Sequence, residues 1–342
     1  MKHLGRIISS LATSTIVLGA SLSPQASASD REVRVYSGRH YNTDKQVFKK
    51  FANETGIRIR LIEATGISLI ERLKREGKNS KADVILLVDA ARISNAANNG
   101  LLQSFRSEKL NASVPSKYKD EKGRWFALTR RVRVMVANPK KVDISKINRF
   151  SDLADPSLKG LVCLRKRNSP YNQSLVANQL VLRGEKETKT WLKKMLSNVS
   201  QPYFPGDIGI TRAVAQGKCG VGVVNHYYVA RMLAGVNGTK DKNLAQKVKV
   251  ITPNPAHVNV SAGGLAKFAT NKSEAIELLE YLASPKGSIG LAGPTYEHPL
   301  VGFNNSNELK GFGEFTPDNV SISQLGKYNS KAIKMMTTAG WE

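Results

Sequence analysis

EVRVYSGRHYNTDKQVFKKFANETGIRIRLIE, residues 32–63, sets the architecture of the chain. From Glu32 to Tyr36 polar and apolar side chains alternate, which predicts a short strand with one face in a core. Ser37-Gly38-Arg39-His40-Tyr41-Asn42 has turn composition. Asp44 then opens a stretch in which Val47, Phe48 and Phe51 recur at helical spacing as far as Ala52. From Gly56 to Glu63 a second strand follows, its apolar content carried by Ile57, Ile59 and Ile62. The alternation continues: Leu69, Ile70 and Leu73 mark a helix, Ala82 to Val88 a strand interrupted only by Asp83, and Ala90 to Leu102 a further helix. A βαβαβα order of this kind predicts a mostly parallel sheet covered by helices on both sides.

Farther along, Trp125-Phe126-Ala127-Leu128 leads into the alternating strand Arg131 to Val136, which Asn138-Pro139 ends. A second α/β set is expected from a strand at 161–164, a helix at 171–183, a helix containing Trp191, a strand at 220–225 and a helix at 227–234. Val248 to Ile251 and Val258 to Val260 read as strands, and a helix is expected at 273–283. The 342 residues suffice for two cores, and no internal repeat or low-complexity linker separates them. Two α/β lobes without a flexible linker imply lobes joined by crossing strands, with a cleft between them.

The N-terminus carries the signature of export. Lys2 and Arg6 precede an apolar stretch from Ile7 to Ala20, and Ala26-Ser27-Ala28 fits a small-x-small cleavage rule with a cut before Ser29. The apolar stretch is shorter than the roughly 20 residues that span a bilayer. A signal peptide at 1–28 and a periplasmic product are therefore expected. In an oxidising compartment the two cysteines can bridge, if the strand-like runs at Cys163 and Cys219 are neighbours; two buried thiols are the alternative.

The 52 Lys+Arg outnumber the 27 Asp+Glu, a formal charge of +25, or +23 once Lys2 and Arg6 leave with the signal. Such a charge suggests a polyanion partner. The basic residues are nevertheless dispersed over helix faces, and runs such as Arg165-Lys166-Arg167 lack the interleaved stacking aromatics of a nucleic-acid surface. No nucleic-acid partner is expected, and the basic surface reads as solvated. No Ser–His–Asp ordering or carboxylate pair supports catalysis, so no enzyme is expected.

Tyrosines stand where an α/β cleft is lined. His40 and Tyr41 follow the first strand, Tyr171 opens a helix after Ser169-Pro170, and Tyr227-Tyr228 follow the strand that ends in Asn225-His226. Ligands of open α/β sheets bind beyond the carboxyl ends of strands. In order, Ser37 to Asp44, Arg131-x-Arg133, Tyr171-Asn172, Asn225 to Tyr228 and Gly293 to Leu300 resemble the iron-binding periplasmic component of ferric iron ABC importers, cyanobacterial type. The resemblance spans the mature chain. It implies a two-lobed periplasmic binding protein fold of type II with crossing hinge strands. Its lobes would be 29–131 plus 255–305 and 132–254 plus 306–342. It also implies a monomer that delivers its cargo to a permease in the inner membrane. The metal-binding positions it implies are Tyr41, Tyr171, Tyr227 and Tyr228, with His40 at the site and Arg131, or its neighbour Arg133, beside the tyrosinates. Glu63 falls near the segment that supplies an acidic ligand in some relatives, and the presence of Tyr41 favours a shell without an added anion.

Ferric iron is hard and prefers anionic oxygen, which phenolates provide. Tyrosine titrates near 10, so only a highly charged cation holds several deprotonated at neutral pH. Four phenolates with Fe³⁺ carry one negative charge and with Fe²⁺ two, so ferric iron is the expected cargo and ferrous iron the weaker one. The competing readings are an exported binder of a polyamine, thiamine, phosphonate or sulfate, or a basic envelope-structural protein.

Overall fold

The structure, a computed structural model, describes Met1 and residues 31–39, 41–200 and 202–342. The signal segment and His40 lie outside the described residues. The first unit follows the predicted alternation: β1 (Glu32–Ser37), α1 (Asp44–Thr55), β2 (Arg58–Glu63), α2 (Gly66–Glu76), β3 (Val84–Val88) and α3 (Ala90–Asn98). Gly56, at φ 72°, ends α1 in a left-handed turn that a side chain would disfavour. The Thr65 hydroxyl caps α2 by accepting from the Ser68 amide at 3.1 Å. α3 stops at Asn98 rather than Leu102, because Gly100 at φ 68° turns the chain back and Leu102 bridges to Ala266.

Next come α4 (Glu108–Ser113), the long β4 (Phe126–Ala137), the short β5 (Val162–Cys163) and α5 (Pro170–Ser197). Gly184, at φ 76°, breaks α5 into the two helices the sequence suggests. The chain continues through α6 (Asp207–Ala215), β6 (Val221–Asn225), α7 (His226–Leu233), α8 (Thr239–Ala245), β7 (Lys249–Ile251) and β8 (Val258–Leu265). It ends in α9 (Lys272–Ala283), α10 (Pro285–Ala292), β9 (His298–Pro299), α11 (Asn307–Lys310) and α12 (Ile322–Thr338). The sequence reading did not place α6 or α12.

The strand order is β2-β1-β3-β8-β4-β6-β5, with β7 and β9 also pairing with β4. Among the described residues three strand pairs are parallel and five antiparallel, so the sheet is not mostly parallel as the opening alternation predicts. The cause is β8, which enters between β3 and β4 and runs against both. β4 carries the chain across. Its first part pairs with β8 as far as Val132↔Val258, and from Arg133↔Asn225 onward it pairs with β6. All twelve of its residues are buried. β5 lies parallel to β6, and the sulfurs of Cys163 and Cys219 are joined in a disulfide.

Candidate metal centre

After β1 the Gly38 amide donates to Leu86 O at 2.8 Å, and a Cβ there would come within 3.1 Å of the Gly66 backbone, so the two backbones approach closely. Arg39 is buried, its guanidinium carbon 5.1 Å from the Tyr41 ring centre. Arg39 donates to Asp44 at 2.7 Å and to Glu297 at 3.2 Å. Glu297 also accepts from Thr129 at 2.6 Å and from Arg131 at 3.2 Å. Two guanidiniums, Arg39 and Arg131, therefore face two carboxylates, Asp44 and Glu297; the buried Asp89 carboxylate also acts on Arg131 and is faced by Arg92 in turn, so that the charges of this group balance.

Tyr171 lies in the first turn of α5, directly after Pro170, a residue suited to that position. Three guanidinium carbons approach its ring centre: Arg165 at 5.3 Å, Arg131 at 5.7 Å and Arg133 at 5.9 Å. Tyr227 and Tyr228 lie in the first turn of α7, where β6 delivers them, with ring centres 4.4 Å apart. The Tyr227 hydroxyl donates to that of Tyr171 at 3.3 Å and accepts from Asn225 Nδ2 at 3.4 Å. Arg133 is held by Asp207 at 3.0 Å, Asn172 at 3.0 Å and Asn225 at 3.3 Å. Arg165 reaches the other oxygen of the same Asp207 at 3.2 Å. On this side two guanidiniums share one carboxylate, which leaves one positive charge beside Tyr171.

The predicted tyrosines thus converge. Burial raises the pKa of Tyr227 well above 10, and Tyr171, Tyr228 and Tyr41 raise it further. Burial also raises Tyr41, with Glu297 and Tyr171 adding to it and Arg39 and Arg131 opposing. Tyr228 rises for the same first reason, then through Tyr171 and Asp207. These three phenols are accordingly neutral at neutral pH until a cation displaces their protons. Both predicted arginines are at the site. Glu63 is not drawn into this network; its carboxylate lies 3.6 Å from the Lys45 ammonium.

Sequence reasoning missed the partners. It assigns Asp207 and Glu297 no role and places Arg165 in a solvated basic run, yet all three hold or complete the arginine set, Arg165 being largely buried against Asp207. Asp207 could have been suspected from its place after Gly206 at the start of a helix. The donor set offered to a ligand is phenolic oxygen. Among the described residues no group of three or more His, Cys, Asp and Glu side chains gathers to hold a metal ion. An all-oxygen set with buried protons suits a small trivalent cation and not a thiophilic one. A polyamine would need free carboxylates, whereas Asp44, Glu297 and Asp207 are all engaged by arginines.

The family model for bacterial extracellular solute-binding proteins matches residues 79–311. Iron uptake protein A1 of Synechocystis sp. is 38% identical, the alignment covering 98% of each chain. An Fe(3+)-binding periplasmic protein of Serratia marcescens is 28% identical over 92% of each. The Trichodesmium IdiA (FutA) protein, solved in complex with iron and citrate, superposes with a TM-score of 0.87 at 38% identity and covers 91% of this chain and 100% of its own. The fold is accordingly the two-lobed periplasmic binding protein fold of type II.

Proposed function

The chain belongs to the bacterial extracellular solute-binding proteins, and we propose that it binds ferric iron between its lobes and delivers it to the permease of an ABC importer. The phenolates of Tyr41, Tyr171, Tyr227 and Tyr228 take the metal in this reading, and the protein carries its cargo without transforming it. It works in the periplasm after loss of residues 1–28, as a monomer. The lobes are 29–131 with 255–305 and 132–254 with 306–342. β4 carries the chain from the first to the second, the segment leading into β8 brings it back, and α12 packs against both α3 and α5.

The observation that carries this reading is the charge balance around the phenols. Four phenolates and Fe³⁺ leave one negative charge. Arg133 and Arg165 against Asp207 leave one positive charge within reach of Tyr171. The buried site is then neutral when loaded with ferric iron and negative with ferrous iron, and buried net charge is costly. The Arg39 and Arg131 pairs with Asp44 and Glu297 hold Tyr41 and Tyr171 in place without adding net charge.

Titrating the metal-free protein with ferric nitrilotriacetate tests it. A visible phenolate-to-iron charge-transfer band is expected to saturate at one equivalent. In a Tyr227→Phe/Tyr228→Phe double variant, which keeps only the phenolates of Tyr41 and Tyr171, the band is strongly weakened and affinity falls by more than about 100-fold, the scale reached by losing a supporting hydrogen bond alone. A double variant with full colour and affinity removes these residues from the site.

A further inference from the structure

Asp89 follows β3 and caps α3, its Oδ1 accepting from the Ala91 amide at 2.9 Å. Its backbone stands at φ 84°, a region that residues other than glycine rarely enter. Such a conformation persists where the surroundings over-determine it, and it recurs at clamps and switches. The surroundings do so here. The Asp89 amide donates to Val260 O at 2.9 Å, and its carbonyl accepts from the Arg92 amide at 3.2 Å. A helix cap uses one carboxylate oxygen and one donor. The fully buried Asp89 carboxylate takes two further donors, both from distant parts of the chain.

On one side, Oδ2 accepts from Asn259 Nδ2 at 2.9 Å. Asn259 lies on β8 directly opposite Arg131 of β4, and its own Oδ1 accepts from the Ala90 amide at 2.8 Å. On the other side, Oδ1 accepts from the Ser174 hydroxyl at 2.8 Å. Ser174 is buried on α5, three residues after Tyr171 and so on the same face of the helix. One carboxylate therefore ties the strand crossing that carries Arg131 to the helical turn that carries Tyr171. Asp89 and Asn259 fall in the lobe 29–131 with 255–305, and Ser174 falls in the other. The Asp89–Ser174 bond is thus the arm that spans the lobes.

We propose that the Asp89–Ser174 hydrogen bond is an interlobe latch, made when the lobes come together over the cargo and broken when they part, and that it sets how long the loaded protein holds its iron. The inference rests on the iron reading above. A contact present in only one of two states shifts their balance by its own strength. Ser174 supplies no ligand to the metal in that reading. It is a positioning residue that acts through the placement of Tyr171, and Asp89 is its fixed partner across the cleft.

The rate of iron release tests the latch. The iron-loaded mature chain is mixed with excess EDTA, and the loss of its charge-transfer band is followed. Ser174→Ala suits a helix and leaves Asp89 its Ala91 and Asn259 donors. Release from this variant is expected to be about tenfold faster or more, the scale of a hydrogen bond to a charged group. Association with ferric nitrilotriacetate should keep its wild-type rate, because the lobes are apart when the metal enters. The urea midpoint of the metal-free protein should also hold, whereas a merely structural Ser174 would lower it. Release at the wild-type rate overturns the latch, as does a loss of metal-free folding stability by the same factor as the release rate gains. A wild-type chain that shows no band overturns the iron reading and the latch with it. A normal band with unchanged release in Ser174→Ala overturns the latch alone.

Discussion

Arg165 and Arg131 stand at similar distances from Tyr171, yet replacing each should have different consequences. Arg131 is buried against Glu297, which is itself fully enclosed, so Arg131→Gln leaves a carboxylate to be shared with Arg39 alone. Breaking a buried pair in this way costs about 3–5 kcal/mol, and a large fall in the denaturant midpoint of the metal-free protein is expected. Arg165 is 17% exposed at its side chain and shares Asp207 with Arg133, so Arg165→Gln keeps one full pair and removes the unmatched charge. Its expected effect is on the cargo: ferric affinity falls about 10- to 100-fold while the denaturant midpoint moves little. Equal losses of stability in the two variants would contradict this division of roles. The tyrosines were legible because a strand end followed by a helix start puts them at the mouth of a sheet, whatever the distant packing. Arg165 was not, since in Arg165-Lys166-Arg167 nothing local separates the arginine that reaches Asp207 from its two basic neighbours.

At the level of elements, the C-terminal α12 is the part that strand-and-helix alternation does not announce. It crosses α3 so closely that a Cβ on Gly326 would collide with Ser94. Gly326→Ala should therefore destabilise the fold by about 1–3 kcal/mol, although alanine is the better helix former, and Ser94→Gly should restore part of the loss. A stabilised Gly326→Ala protein in urea unfolding would show that the crossing relaxes freely. The bond between β5 and the start of β6 spans a sequence separation of 56 residues. Closing a loop of that size stabilises by about 2–4 kcal/mol, so Cys163→Ala/Cys219→Ala should lower the unfolding free energy by that amount. Unchanged stability in the pair would mean that the sheet alone holds these strands together. That one cysteine lies in a strand and the other just ahead of one could be anticipated from their apolar runs; their pairing depended on β5 lying beside β6 and not elsewhere in the sheet.

For the molecule as a whole, the strongest pH dependence of folding should come from buried histidines. Burial holds His226 at about 3, His257 at about 3 and His298 at about 2, and the rings of His226 and His298 stack with centres 4.6 Å apart. Once unfolded, each takes a proton near 6.5, so their contribution to stability is complete above that pH and is lost as pH falls. Between pH 6.5 and 5 each should cost about 2 kcal/mol. Urea midpoints measured across that range should fall steeply, and less so in His298→Phe; a flat profile would mean that these rings titrate normally. Iron follows the same direction for a different reason. Binding must displace protons from phenols whose pKa values burial has raised, so ferric affinity should also weaken as pH falls.

The net charge of +25 belongs to this scale too, and it turns out to say little about the site. By itself the sequence determined the βαβαβα opening, the placement of Tyr41, Tyr171, Tyr227 and Tyr228 at element junctions, and a family resemblance that the mature chain sustains. These depend on local periodicity and on motifs in order. Only the tertiary structure decided that β8 runs antiparallel between β3 and β4, and that Glu297 neutralises Arg131. It also decided that the spare positive charge rests with Arg133 and Arg165. Charge compensation depends on which groups, far apart in sequence, are buried within a few ångströms of one another, and no periodicity along the chain records that.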